Sequence, residues 1–391
     1  MDTQLAVAIV FLAALAVFLY LKRKNVVIQK MLFPLLYFVM YRSDAGLKSM
    51  DSVAKKFPKF LSAFFAFGVV LCFIGMAVIS YQLIYSTINL AISPETAPGI
   101  QPVLPFQAKG VFFVPFLYWI ISIFVIAAVH EFSHGVASRV HDIKVKSSGF
   151  AFLGIIIPIV PAAFVEPDEK KLVKKSAMQQ LAVFAAGPFA NIATAGIVIL
   201  LILFVANPLV DAMFIPSGVE IAAVSPESPA ALAGIAPGEI ITNIDGMQVT
   251  SVQNITFLLA QRKPGQYVTV QTNKSKYKTQ LTYNPKNETQ ALLGISSRQF
   301  NEQNELFVSK YGIVTLNALS WVFGLLYWIF LLSIGIGLFN LLPIGPIDGG
   351  RMLRLVMHKV FDVKRGESYW RFVSMFFLFL VISNIVAGFF V

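Results

Sequence analysis

Long runs of apolar residues constrain what this chain can fold into more than any other feature. One run extends from Val111 to Ala128 without a charged residue, and about 20 apolar residues suffice for a helix to cross a bilayer. Of the 391 residues, 57% are hydrophobic and 13% are charged, a balance typical of membrane proteins. We therefore predict a polytopic α-helical membrane protein with about six transmembrane helices, rather than a soluble protein.

The six predicted crossings are separated by loops whose charge indicates their side of the membrane. The crossings are residues 5–21, 61–85, a span that begins at residue 111, and residues 181–209, 316–342 and 372–391. Loops rich in Lys and Arg follow the first, third and fifth crossings, and such loops usually face the cytoplasm. Both termini are therefore predicted to be extracytoplasmic. The net charge of +11 reflects these loops, and no nucleic-acid partner is expected.

Four segments are predicted along the chain. Residues 1–60 hold the first transmembrane helix and a cytoplasmic segment, in which residues 31–40 are too short to cross and are predicted to form an interfacial helix. The membrane core occupies residues 61–210 and 301–391, and an inserted domain at residues 211–300 separates its two parts. The predicted location of the whole chain is the cell membrane.

Residues 149–167 are apolar, but Pro158 and Pro161 interrupt them. Proline cannot continue a helix or donate a hydrogen bond to a strand ladder. Unhelical backbone at membrane depth must be covered by protein or line a wet cavity. We predict a re-entrant strand or hairpin beside the functional site, and the alternative is a plain amphipathic connector.

The inserted segment, residues 216–298, is polar and rich in Thr, Asn and Gln. Short alternating strands separated by Gly-containing turns are predicted in it, with the strands at residues 239–244, 267–272 and 277–283. We predict a small soluble β-rich domain between the fourth and fifth helices, on the extracytoplasmic side. Three N-x-[ST] sequons agree with that side, at Asn254, Asn273 and Asn287.

The third crossing ends in His130-Glu131-Phe132-Ser133-His134, the H-E-x-x-H pattern. On a helix, positions i and i+4 share a face, so His130 and His134 can reach one cation, and neutral imidazoles suit zinc. Glu131 lies one residue further round, where it can take a proton from a water that the metal activates. Ionisable residues in a membrane span are costly and indicate function, and the alternative is a pair of structural histidines in the core.

A catalytic zinc centre with two histidines needs a third protein ligand. The chain has a single cysteine, Cys72, so the ligand must be a histidine or a carboxylate. Asp348 fits, because it lies at the cytoplasmic end of an inward crossing, as the two histidines do, and the two glycines after it let the backbone turn sharply. The alternative for Asp348 is a turn residue. His141 and His358 lie among basic loop residues and are not expected to be ligands.

Three further motifs accompany the H-E-x-x-H pattern. Residues 187–191 read Gly-Pro-Phe-Ala-Asn, a G-P-x-x-N motif. Asn340, Pro343 and Asp348 form an N-x-x-P…L-D-G pattern in which Ile347 replaces the usual leucine. Residues 228–246 contain Ser-Pro-Ala-Ala and Pro-Gly-Glu-Ile-Ile, which are similar to PDZ domains. In this order the motifs resemble the site-2 protease family, the intramembrane zinc metalloproteases.

The resemblance implies one zinc ion per chain, held by His130, His134 and Asp348, with Glu131 as the general base. It implies hydrolysis of peptide bonds in or near the transmembrane helix of a single-pass membrane protein. That substrate has already been shortened outside the membrane by another protease, a sequence of events known as regulated intramembrane proteolysis.

Substrate contacts are predicted at three places. Asn191 and Asn340 are candidates for binding the unwound backbone, residues 149–160 could pair with it by strand addition, and the PDZ-like domain could bind a peptide C-terminus or exclude large substrates. Two other functions remain open. One is a transporter that uses the His, Glu and Asp cluster as a proton or cation relay, and the other is a membrane scaffold built on the PDZ-like domain. The intact H-E-x-x-H pattern favours the protease.

Overall fold

The computed structural model describes residues 3–32, 36–44, 46–93, 96–155, 157–284 and 287–390. Up to the fourth membrane span the elements are α1 (Thr3–Leu21), β1 (Val26–Leu32), β2 (Leu36–Ser43), α2 (Leu47–Lys56), α3 (Pro58–Ile92), β3 (Val103–Leu104), β4 (Phe112–Phe113), α4 (Phe116–Val140), β5 (Val145–Ile155), β6 (Ile157–Pro167), α5 (Glu169–Leu172) and α6 (Ala177–Leu201). A π-helical turn at Ile202–Ala206 continues α6.

The remaining elements begin with a short helix and a series of strands. They are α7 (Asn207–Met213), β7 (Phe214–Val224), α8 (Pro229–Leu232), β8 (Ile240–Ile244), β9 (Met247–Gln248), α9 (Val252–Ala260), β10 (Tyr267–Thr272), β11 (Lys276–Gln280), β12 (Thr282–Asn284), β13 (Asn287–Leu292), β14 (Ile295–Gln303), α10 (Glu305–Tyr311), α11 (Ile313–Phe339), α12 (Asp348–Val360) and α13 (Val363–Gly388). The chain forms two compact units, which are described separately. Met1–Ile202 and Phe323–Val391 make the membrane unit, and Leu203–Val322 makes the inserted unit.

Six helices in the described part of the chain are long and apolar enough to cross a membrane, as the sequence predicts. They are α1, α3, α4, the stretch from α6 through α7, α11 and α13. Large apolar side chains on them face outward, among them Phe67 and Phe379, which are 58% and 65% exposed. Such outward apolar surface suits a helix whose surroundings are lipid.

Helices α3, α4 and α6 pack together at the centre of the membrane unit. The Phe189 ring of α6 lies directly against Gly68 of α3, where a Cβ atom would come within 2.5 Å of the ring. Phe64 packs on the same ring with centroids 4.6 Å apart, and Cys72 is fully buried in this core. Small residues allow such close helix approach in lipid. The packing fixes α6 beside the helix that carries the H-E-x-x-H pattern.

The membrane unit also contains an antiparallel sheet with the strand order β1-β2-β5-β6. The interfacial helix predicted for residues 31–40 is wrong, because these residues lie in β1 and β2, apart from residues 33–35, which are outside the described residues. The reason is a distant pairing. Tyr37 lies opposite Gly154 and Ser43 opposite Ser148 of β5, and such tertiary contacts override local preference.

The apolar segment around Pro158 and Pro161 forms the antiparallel hairpin of β5 and β6. β5 is paired on both sides, with β2 and with β6, whereas β6 lies at the edge of the sheet. Residues 149–160 therefore belong largely to an internal strand, and the edge that is open to a further strand is that of β6.

The inserted unit contains a sheet with the order β11-β10-β8-β7-β14, to which β9 adds by pairing with β8. The turn from β8 to β9 has positive φ at Asp245 and Gly246, as a two-residue hairpin loop requires. The core includes Ile221, Ile241 and Val270, all fully buried. These observations confirm the predicted β-rich domain between the fourth and fifth membrane helices.

Candidate metal centre

The C-terminal part of α4 carries the two histidines of the H-E-x-x-H pattern. Because they are one turn apart, their rings lie side by side, with centroids 4.8 Å apart and Nε2 atoms 3.1 Å apart. The preceding turns of α4 bury Trp119 and Ile126 against the rest of the membrane unit. The helix thus holds both imidazoles on its inner face, and His130 is only 8% exposed.

Asp348 is brought to the histidines by the loop between α11 and α12. This loop folds back on the first turn of α12, where the Gly349 N–H donates to the Asn340 carbonyl oxygen at 2.8 Å. A Cβ atom at Gly349 would collide with the Leu341 carbonyl, so the close approach requires glycine there. The buried Asp348 carboxylate consequently faces α4 from a different helix.

Three donor atoms from these residues form a nearly equilateral triangle. Asp348 Oδ2 lies 3.1 Å from His130 Nε2 and 3.4 Å from His134 Nε2, and the two nitrogen atoms are 3.1 Å apart. Ligands of tetrahedral zinc at about 2.0–2.1 Å from the ion are separated by about 3.3 Å. The triangle therefore fits three corners of a zinc tetrahedron. Among the described residues, it is the one group of His, Cys, Asp and Glu side chains placed in this way.

Helix α6 supports the site through its backbone. His134 Nδ1 donates to the Val183 carbonyl oxygen at 2.7 Å, so the ring proton is on Nδ1 and the Nε2 lone pair is left for a metal. Pro188 lies inside α6, five residues after Val183, and because proline has no N–H, one hydrogen bond of the helix is missing there.

Gly187 leaves room for an ion beside the two rings. A Cβ atom at this position would come into collision with the Nε2 atoms of both His130 and His134. The space that the missing side chain leaves is thus next to the donor atoms themselves. This is a second observation, independent of the donor triangle, that the residues present fit a zinc ion.

Glu131 lies beside the metal ligands and is held by the sheet. Its Oε2 atom accepts a hydrogen bond of 2.9 Å from the backbone N–H of Val165 in β6. This bond leaves the carboxylate in the cavity next to the donor triangle. The candidate base is therefore positioned by the same strand that forms the open sheet edge.

The direction of the Val165 N–H also shows which backbone groups of β6 point outward. In an antiparallel strand, N–H and C=O groups of one residue point the same way and alternate along the chain. Val165, Ala163 and Pro161 therefore direct their backbone groups away from β5. Pro161 agrees with this assignment, since a proline is tolerated where no ladder donor is needed.

The donor triangle opens into a cavity of about 330 Å³ that Asn340, Phe164 and Arg351 also line. A larger cavity of about 650 Å³ shares Arg351 and Phe184 with it. The Arg351 guanidinium lies 4.3 Å from the centre of the Phe184 ring, a cation–π contact. A substrate that reaches the donor triangle therefore meets a cationic side chain on one wall.

Asn340 and Asn191 are placed differently. Asn340 lines the cavity, whereas Asn191 is 1% exposed and lies behind His130, with its Nδ2 atom 3.1 Å from His130 Nδ1. His141 and His358 are outside the donor cluster, and His358 Nε2 instead lies 3.1 Å from a Glu367 carboxylate oxygen.

Sequence reasoning missed the Val165 and Val183 contacts because both act through backbone groups. The only signal that bears on them is positional. Pro188 lies in the turn of α6 that follows Val183. Pro161 indicates which residues of β6 direct their backbone groups away from β5.

Together, the six membrane helices and the buried two-histidine, one-carboxylate centre with an adjacent glutamate define a metal-dependent hydrolase of the membrane. Residues 118–381 match the sequence profile of peptidase family M50, and the chain belongs to this family. The predicted site-2 protease family, metalloprotease activity and zinc are thereby confirmed.

Similar proteins are found in archaea and bacteria. An uncharacterized protein of Methanocaldococcus jannaschii is 26% identical over 317 residues, which cover 80% of this chain and 75% of the relative. A protein of Clostridium acetobutylicum with the name "Putative zinc metalloprotease" is 24% identical over 326 residues, 68% of this chain and 94% of the relative. One of the same name from Xylella fastidiosa is 31% identical over 38% of this chain and 37% of the relative.

Two solved structures are similar over a short part of the chain. They are the PDZ domains of SdrC-like proteins from Listeria monocytogenes and Listeria innocua, each 26% identical with a TM-score of 0.19. Each match covers 21% of this chain, and 87% and 96% of the respective PDZ domain.

Proposed function

We propose that this zinc metalloprotease hydrolyses peptide bonds in or near the transmembrane helix of a single-pass membrane protein that another protease has already shortened. The observation that carries the proposal is the position of the site. His130, Glu131 and His134 lie on α4, which is itself long and apolar enough to be a membrane span. A protease for soluble substrates has no need to place its ligands there, where ionisable groups are costly.

The zinc ligands in this proposal are His130, His134 and Asp348. When bound, zinc supplies a Lewis acid that polarises a peptide carbonyl and makes water a stronger acid. Glu131 takes a proton from the attacking water, whose oxygen bonds to the carbonyl carbon. Glu131 then passes the proton to the nitrogen that leaves as the C–N bond breaks. The Val165 N–H keeps the carboxylate in place for both transfers.

A transmembrane helix hides its peptide groups in its own hydrogen bonds, so the substrate must be unwound before it is cut. The outer edge of β6 offers the N–H and C=O groups of Ala163 to an extended segment by strand addition, next to the Val165 N–H that holds Glu131. The proposed pairing is with β6 and not with the part of residues 149–160 that lies in β5, because β5 is already paired on both sides. Asn340, which lines the cavity, is proposed to bind a freed substrate backbone group.

A small apolar cavity beside Glu131 suits a side chain of such a substrate. It has a volume of about 220 Å³ and is lined by Met50, Phe132 and Phe150, among others, as well as by Glu131. An apolar residue of a transmembrane segment gains by entering it. We therefore expect bulky apolar residues next to the cleaved bond to be preferred over charged ones.

The inserted unit is proposed to be extracytoplasmic, as are both termini, with the metal centre near the cytoplasmic side. In this unit β14 lies at the edge of the sheet, and α9 packs beside it. An edge strand flanked by a helix can bind an extended peptide C-terminus by strand addition. The new C-terminus left by the first protease is a ligand of this kind.

The experiment is cleavage of a tagged single-pass protein, reconstituted with the protease, in a full-length and a pre-shortened form. Wild-type protein is expected to cut the shortened form within or beside the membrane segment. Glu131→Gln, which preserves size, should retain zinc and cut nothing, and a zinc chelator should abolish wild-type cleavage. Equal cleavage of both forms would remove the requirement for shortening, and activity in Glu131→Gln would remove the general base.

A further inference from the structure

The buried amide of Asn191 raises a question about the second nitrogen of His130. His130 Nε2 lies 3.1 Å from both Asp348 Oδ2 and His134 Nε2, so this atom is the one that faces the ion position. To be a ligand it must offer a lone pair, and the single proton of the neutral ring must then be on Nδ1. A buried N–H of this kind needs an acceptor.

The Asn191 side chain is the group that faces His130 Nδ1. In the orientation described above, its Nδ2 atom lies 3.1 Å away and donates to Nδ1, while its Oδ1 atom is buried without a hydrogen-bond partner among the described residues. That orientation keeps the ring proton on Nε2, where the metal lone pair is required. A half-turn of the amide about its Cβ–Cγ bond exchanges the two atoms and directs Oδ1 at Nδ1.

We propose that Asn191 is a positioning residue for the zinc centre: its Oδ1 atom accepts the His130 Nδ1–H, which fixes both the tautomer and the ring plane. The arrangement parallels the one at His134, whose Nδ1 donates to the Val183 carbonyl oxygen. Helix α6 thus contacts the Nδ1 atoms of both imidazoles, from two positions that are eight residues apart. This explains why a polar amide is buried to 1% exposure in an apolar helix.

As a positioning residue, Asn191 has a different role from the substrate contact that the sequence predicts, and this role rests on the proposed zinc ligand His130. The two roles have different signatures. A substrate contact would change the KM of cleavage and leave metal affinity alone. A positioning contact changes zinc affinity even when no substrate is present, typically by about 10–100-fold for groups that orient a ligand.

The test is zinc affinity, measured by chelator competition on full-length protein in detergent. Asn191→Leu, which removes the acceptor and keeps the volume, should bind zinc about 10–100-fold more weakly. Asn191→Asp keeps an acceptor at the same place and should bind zinc within about threefold of wild type, as carboxylate–histidine–zinc arrangements do. The buried Asn384 of α13 provides the matched control, and Asn384→Ala should leave zinc affinity unchanged.

Nitrogen NMR of zinc-loaded protein provides a second readout, which does not depend on affinity. With ¹⁵N-labelled histidine, wild type and Asn191→Asp should show a protonated Nδ1 on His130. Wild-type zinc affinity in Asn191→Leu, or equal loss in Asn191→Asp and Asn191→Leu, would overturn the role of Asn191. Unchanged zinc affinity in His130→Ala would instead overturn the ligand assignment beneath it, so the two failures can be told apart.

Discussion

Gly187→Ala is expected to remove zinc from the protein without unfolding it. A Cβ atom at this position would collide with the Nε2 atoms of His130 and His134, and it would lie 2.6 Å from His130 Cδ2. Unstrained contacts lie at about 3.5–4.0 Å, so the His130 ring would have to move by about 1 Å. The backbone of α6 itself should accept alanine at this position, because alanine is the best helix former.

The size of the effect follows from how little a metal site can stretch. Zinc–ligand distances are matched to within about 0.2 Å, so a movement of about 1 Å takes at least one imidazole out of reach. Disturbing groups that merely orient ligands costs about 10–100-fold in affinity. Displacing a ligand itself should cost more than about 100-fold, which corresponds to about 2.8 kcal/mol.

The assay is zinc content, determined by mass spectrometry after equilibration of detergent-purified protein with graded concentrations of a chelator. Gly196→Ala is the matched control on the same helix, because no atom lies within 4 Å of an ideal Cβ there. It should retain zinc as wild type does. If Gly187→Ala also held zinc at wild-type chelator concentrations, the idea that this glycine makes room for the ion would be refuted.

Three more results are expected. Ala163→Pro, which removes an outward-facing N–H of β6, should slow substrate cleavage at normal zinc content, whereas Ala162→Pro, whose N–H faces β5, should destabilise the hairpin. Asp348→Asn should lower zinc content, since it removes a charged ligand. The inserted unit should lose part of its stability below about pH 4.3, and Glu239→Gln should reduce that loss. Hydrogen exchange of the full chain from pH 3 to 7 measures it, and an equal loss in wild type and variant would contradict the expectation.

The last expectation follows from the pKa of Glu239, which is only 2% exposed. Burial alone would raise this pKa, but hydrogen bonds donated by Thr272 Oγ1, Tyr277 OH and the Ala236 N–H lower it below its usual value. Since the folded pKa is below the unfolded one, ionised Glu239 stabilises the unit at higher pH. This share of the stability is lost as the pH falls through the lowered pKa. In Glu239→Gln the titration is absent.

The parts that sequence predicted are those set by local pattern. The six spans follow from apolar length, and the two histidines share a face because a helix repeats every 3.6 residues. Asp348 could be predicted as a candidate ligand because the two glycines after it and its position at the end of a span restrict where it can lie. The interfacial helix at residues 31–40 failed because the fate of these residues depends on β5, far away in the chain, and no local pattern reveals that partner.

Contacts behind the ligands depend on the rotation of α6 against α4, which packing determines and sequence does not state. Asn191 is a polar residue in an otherwise apolar span. Substrate binding and support of a zinc ligand would both explain its presence there. The distance of 3.1 Å from its Nδ2 atom to His130 Nδ1 is the observation on which the proposed support of a ligand rests. Val183 and Val165 contribute only backbone atoms, so their side chains carry no signal of the contact.

A zinc ion at this centre would join elements that lipid alone holds only weakly. The ligands come from α4 and from the first turn of α12, which follows the membrane helix α11, and association of helices in a membrane lacks the hydrophobic driving force available in water. An ion that binds only the assembled form stabilises it by about 2.7 kcal/mol when its free concentration is 100 times the dissociation constant. Helix α6 supports both imidazoles, through Val183 and through the proposed Asn191 contact. Substitutions that disturb the packing of α6 should therefore lower zinc affinity before they disrupt the membrane unit. The protein is therefore expected to lose its metal, and with it the reaction, before it loses its membrane fold.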